Sequence, residues 1–126
     1  VAAIVLDTGA LIAIDRGDRR VGALLQAAAE ANVDVITSCS CISEAWRAPA
    51  RQARLARALA GVIEHSLDPS AARAAGTLLA RAHLSDVADA AVARLAGPGD
   101  TIATSDPADI AMLLEAAGTT ARILRV

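Results

Sequence analysis

Four carboxylates stand where this chain passes from one kind of element to the next. Asp7 closes the apolar run Ile4-Val5-Leu6. Glu44 lies in the first turns of the helical stretch after a second apolar strand. Asp89 lies in the first turn of another helical stretch, three residues after Asp86. Asp106 follows Thr104-Ser105 and is itself followed by Asp109. Each has an ordinary explanation. Asp is a favoured helix N-cap, because its oxygen accepts a bond from the exposed N–H groups of the first turn. Acids in a first turn also suit the helix dipole. Asp86 with Asp89, and Asp106 with Asp109, look like capping boxes with Asp in the place of Glu. Glu44 sits among Ile42, Ala45 and Trp46, and is either turned to solvent or recruited to a site. The combination says more than any member. Carboxylates forced together repel and raise one another's pKa values. A divalent cation relieves that repulsion, and oxygen ligands of this hardness suit Mg²⁺ or Mn²⁺. Such a cation activates water and neutralises charge on a phosphoryl oxygen.

Other chemistries lack their residues. The chain contains no Lys, so it has no Gly-Lys-Ser/Thr phosphate loop and no receiver-domain lysine, and GxGxxG is absent as well. His65 falls in an apparent strand and His83 in a link, neither with a nucleophile partner. Cys39-Ser40-Cys41 is poorly spaced for a disulfide and supplies too few ligands for zinc, so both thiols are read as small, mostly buried residues. Trp46 is the only aromatic residue, which weakens any module that stacks bases on aromatic platforms. The formal net charge of −2 gives no global basic footprint. Local positive charge remains available: Arg47, Arg51 and Arg54 are spaced like one face of a helix, although Pro49 can disturb the register. That face is either solvated or a clamp for backbone phosphates.

The elements that must carry the acids alternate in type. Strands are expected at 4–7, 33–37, 62–67, 101–105 and 121–126, the third of them weak and near an edge. Helices are expected at 10–15, 19–31, 38–48, 50–60, 69–82, 85–96 and 107–118. Asn32, Pro49, Gly61, Gly97-Pro98-Gly99 and Gly118 supply the breaks. Alternating strands and helices point to an α/β domain with a central parallel sheet. In an open sheet of that kind ligands bind beyond the carboxyl ends of the strands, where all four acids can face. The 126 residues fit one domain, 1–126. No charge-free stretch approaches the roughly 18 residues of a membrane span. No basic segment followed by an apolar block opens the chain, so a soluble cytoplasmic protein is expected.

Four stretches taken in order resemble one family. They are Leu6-Asp7-Thr8-Gly9-Ala10-Leu11-Ile12-Ala13, Ser43-Glu44-Ala45-Trp46-Arg47, Ser85-Asp86-Val87-Ala88-Asp89-Ala90-Ala91-Val92-Ala93, and Thr104-Ser105-Asp106-Pro107-Ala108-Asp109-Ile110. Together they look like a PIN domain, and in particular are similar to bacterial VapC-type toxins. The resemblance implies a three-layer α/β/α domain with an acidic metal pocket. It also implies Mg²⁺- or Mn²⁺-dependent cleavage of RNA, a cognate antitoxin protein, and a homodimer. The family's acids fall on Asp7, Glu44, Asp89 and Asp106. Asp86 is a rival for the third position and Asp109 a possible fifth. On this likeness Asp7, Asp89 and Asp106 hold a metal ion, while Glu44 holds a second ion or orients the attacking water. Thr8 and Ser105 would orient carboxylates. A binding module that has lost catalysis, and a metal-dependent phosphatase or DNA nuclease using the same pocket, are the alternatives.

Overall fold

A computed structural model describes residues 2–126. The elements follow in the order β1 (Ile4–Leu6), α1 (Thr8–Asp15), α2 (Arg19–Glu30), β2 (Val35–Ser38), α3 (Cys39–Ala45), a 3-10 turn (Pro49–Arg51), α4 (Ala53–Leu59), β3 (Ile63–His65), α5 (Pro69–Ala82), α6 (Val87–Leu95), β4 (Thr101–Thr104), α7 (Pro107–Ala117) and β5 (Arg122–Arg125). The five strands form one parallel sheet in the order β3-β2-β1-β4-β5. Helices α2, α3 and α4 pack around α1, and α5, α6 and α7 pack on one another. The result is the expected three-layer α/β/α arrangement.

Burial separates the centre of the sheet from its edges. In β2 every residue is buried, and Val5, Leu6, Ile102 and Ala103 of β1 and β4 have no exposed surface. Every residue of β3 and β5 is exposed. The inner strands are therefore buried on both faces, as parallel strands between two helical layers are. Helix α6 explains its own sequence in the same way. Ala88, Ala90, Ala91, Val92 and Ala93 are all buried, and such small side chains let the helix lie close against β1 and β2.

Register brings the carboxyl ends into line. Leu6 pairs with Thr37 on one side and with Ala103 on the other. The amide of Asp7 extends the ladder by donating to the Ala103 carbonyl at 3.1 Å. Connections from β1 and from β4 leave toward opposite edges of the sheet, so the gap between these two strands is the topological switch point.

Most expected elements are present, and two differ for identifiable reasons. The helix expected over 38–48 stops at Ala45, because Trp46 turns to extended backbone (φ −77°, ψ 134°) and Pro49 begins a separate 3-10 turn. The buried amide of Gln52 holds that break. Its Oε1 accepts from the Arg47 and Ala48 amides at 2.7 and 3.0 Å, and its Nε2 donates to the Ala45 carbonyl at 2.9 Å. The second strand starts two residues late, at Val35. Asn32 takes a left-handed conformation (φ 54°) and Val33 donates back to Ala28, so both residues belong to the end of α2.

Candidate metal centre

Asp7 follows β1 and opens α1, and its carboxylate is held from three directions. Oδ1 accepts from the Ala10 amide at 2.8 Å, which is the N-cap bond of α1. Oδ2 accepts from the Thr104 hydroxyl at 2.6 Å and from the Ser105 amide at 3.1 Å. Asp7 is only 2% exposed. Burial raises its carboxyl above the ordinary value, and the charge of Asp106 adds to this; the three hydrogen bonds oppose the shift without cancelling it.

Thr104 ties the ends of two strands together. While its hydroxyl donates to Asp7, its oxygen accepts from the Asp106 amide at 2.8 Å. This fixes Asp106 at the start of α7 with its carboxylate free of capping duty, since α7 has no side-chain cap bond. The capping box expected of Asp106 and Asp109 does not form. The one expected of Asp86 forms in half: Asp86 Oδ1 accepts from the Asp89 amide at 2.9 Å.

Asp89 is carried by the buried helix α6 and is 8% exposed. Its Oδ2 is buried with no hydrogen-bond partner among the described residues. Burial first, then the charge of Asp86, then the close carboxyl–carboxylate approach and charge of Asp106, and last the charge of Asp7, push its carboxyl up to about 8. Asp89, Asp106 and Asp109 each present one carboxylate oxygen, and these oxygens lie within 4.8 Å of one another. The carboxyl of Asp109 is raised as well, by desolvation and by Asp106. Asp7 is not one of the three. It stands beside them, near enough for its charge to act on Asp89.

Glu44 is exposed and approaches from another side. Its Oε1 accepts from the Thr8 hydroxyl at 2.6 Å, so it is tied to the residue directly after Asp7. It shares a cleft of about 510 Å³ with Asp86, Ser40, Ser43 and Ser85. Thr8 therefore orients an acid as expected, whereas Ser105 acts through its backbone N–H and its side chain is exposed.

Two contributors were not legible as such. Thr104 lies in a strand, where a β-branched residue is ordinary and its hydroxyl goes unnoticed. Gly9 is demanded by close approach: a Cβ there would stand 2.0 Å from Ser105 Oγ and 2.4 Å from Ser105 Cβ. The thiols divide, contrary to the expectation that both are mostly buried. Cys39 is exposed and Cys41 is buried. Burial, aided by the charges of Asp7 and Glu44, pushes the Cys41 thiol up to about 11. The clustered donors, Asp89, Asp106 and Asp109, all offer carboxylate oxygen.

The residues fit a hard divalent cation. The donors are carboxylates, those of Asp89 and Asp109 are raised in pKa by burial and neighbouring charge, and one buried oxygen lacks a partner. The small α/β/α domain, its parallel sheet and its acidic cluster fit a PIN-like fold. No protein-family model matches the chain, and no curated protein is significantly similar to it. No helix among the described residues is long and apolar enough to cross a membrane.

Proposed function

We propose that the protein is a divalent-metal-dependent endoribonuclease of the PIN type, the toxin component of a toxin–antitoxin pair. The observation that carries the metal-dependent part is the unpartnered Oδ2 of Asp89 beside Asp106 and Asp109. A buried polar atom without a partner costs about 1–3 kcal/mol, and more when charged. A cation shared with Asp106 and Asp109 would supply what the protein leaves out. Bound there, Mg²⁺ or Mn²⁺ lowers the pKa of water and neutralises charge on a phosphoryl oxygen.

The protein's own groups have separate tasks. Asp89, Asp106 and Asp109 offer the oxygens. Asp7, locked by Ala10, Thr104 and Ser105, sets the field that keeps cation affinity high. Glu44, held by Thr8, stands at the mouth to accept a proton from the attacking water. RNA as substrate, the antitoxin partner and the homodimer rest on the resemblance of the four motifs.

Asp106→Asn is the sharper test than Asp7→Asn, since an amide at position 7 can turn its NH₂ against the donors that hold it. The assay offers single-stranded RNA, structured RNA, DNA and a simple phosphate ester, with Mg²⁺, Mn²⁺ or EDTA. RNA cleavage is expected with metal only, slowed about 100-fold or more in Asp106→Asn. Cleavage of DNA or the ester in preference to RNA overturns the ribonuclease assignment. Absence of all cleavage by folded, metal-loaded protein leaves a binding module.

A further inference from the structure

We infer that Arg16, Arg47 and Arg51 form a binding cleft for the phosphates of a single nucleic-acid strand, leading to the carboxylate site at Glu44. This rests on the nuclease reading for its purpose, although the cleft is defined without it.

The three arginines come from separate pieces of chain. Arg16 caps the C-terminal end of α1, Arg47 follows the break after α3, and Arg51 ends the 3-10 turn. They line one cleft of about 440 Å³ together with Ile12, Asp15, Glu44 and Gln52. All three are exposed, so their heads are available to a ligand. Glu44 also lines the adjoining cleft that contains Asp86. It therefore marks the boundary between the arginines and the acids.

The cleft is built rather than incidental. Gln52 is 6% exposed, and its amide braces the 45–52 segment through the bonds to Ala45, Arg47 and Ala48. It also reaches the Asp15 carboxylate at 3.4 Å. Arg47 is itself oriented, because its Nη1 donates to the Ser43 and Trp46 carbonyls at 3.1 and 2.7 Å. That leaves the Nε–Nη2 edge of its guanidinium, the edge that grips two phosphate oxygens at once. The carboxylates in the cleft already have partners on the protein: Glu44 is bonded by Thr8 and Asp15 by Gln52.

Position decides which arginines belong. The sequence spacing grouped Arg47, Arg51 and Arg54 on one helix face. The break at Trp46 and Pro49 removes that face, and Arg54 is not part of the cleft wall. Its guanidinium lies instead over Gly17, with Cζ 3.1 Å from where a Cβ on that residue would stand. No aromatic ring lines the cleft, and Trp46 faces a separate groove with Ile42 and Leu59. A cleft of guanidiniums without aromatic stacking platforms suits backbone phosphates, the contacts that position a strand.

The test uses a fluorescent single-stranded oligoribonucleotide in EDTA, which withholds the metal that cleavage requires, with anisotropy read across a salt series. Arg16→Gln/Arg51→Gln is expected to bind about tenfold more weakly or worse. Its salt slope should fall by about 1.4, the share of two single-strand phosphate contacts. Arg54→Gln should keep the wild-type slope, and oligouridine and oligocytidine should bind alike. A double variant that keeps the wild-type slope, or a wild type that does not bind, overturns the cleft. Poly-glutamate competing as well as the oligonucleotide overturns it in favour of an acidic protein segment. The parent reading fails separately: wild type that binds the oligonucleotide but no Mn²⁺ refutes the metal centre, and the slope change still supports the cleft.

Discussion

Asp89 carries the conflict on which the site depends. An unfolded Asp titrates near 3.8, whereas burial and neighbouring acids hold the folded residue near 8. Between those values the folded chain keeps a proton that the unfolded chain has released. Stability of the metal-free protein therefore falls as pH rises from about 4 to about 8, then levels. The raised carboxyls of Asp7 and Asp109 act in the same direction. Asp89→Asn removes the largest contribution. Urea unfolding in EDTA should show the wild type losing stability between pH 5 and pH 8, and the variant losing clearly less. Equal losses in both would mean that Asp89 is not held protonated. The sequence displayed this residue but not its state. Asp86 at i−3 offered capping as a sufficient explanation, and half of that explanation is correct. What spacing could not reveal was that α6 is buried on nearly every side, which turns a first-turn acid into a desolvated one.

Among the elements, the junctions after β1 and after β4 are the machined parts. β1 is followed by the buried carboxylate of Asp7 with α1 starting at the next residue, and β4 ends in the buried hydroxyl of Thr104 with α7 starting three residues on. Thr104 bonds Asp7 on one side and the Asp106 amide on the other, so the two junctions move together. Gly9 lets them approach. Gly9→Ala would drive its Cβ into the Cβ and Oγ of Ser105, whose amide holds Asp7. Overpacking of this kind costs about 1–3 kcal/mol. Thermal unfolding should record that loss, and Ser105→Gly, which removes the obstructing atoms, should restore much of it in the double variant. Additive losses in the double variant would mean that the strain lies elsewhere. The order and type of the elements were readable, because apolar runs and helical stripes alternate without interruption. The segment from 45 to 52 was not. Its course depends on a buried Gln52 whose partners are backbone amides, and backbone amides leave no mark on a sequence pattern. Arg16 was missed as a partner of Arg47 and Arg51 for the same reason, since only the fold brings the end of α1 to that break.

Taken as one body, the protein uses its topology to collect charge at a single place. Strand order β3-β2-β1-β4-β5 puts the reversal of direction between β1 and β4, and the acids converge beyond that gap. Two helical layers bury the central strands together with Asp7 and Asp89, while Arg16, Arg47 and Arg51 stand exposed on the α1 side. The sequence made the parallel α/β layout and the general neighbourhood of Asp7, Glu44, Asp89 and Asp106 legible. It did not show that Asp109 stands with Asp89 and Asp106 while three hydrogen bonds hold Asp7 beside them, because those contacts are made only in the fold. The direct measurement is an anomalous difference map from a crystal soaked in Mn²⁺. A peak within bonding distance of Asp89 and Asp106 oxygens, absent from an Asp106→Asn crystal soaked in the same way, is the expected result. A map with no peak between those two carboxylates, at a Mn²⁺ concentration that fills other sites, would contradict a metal centre here.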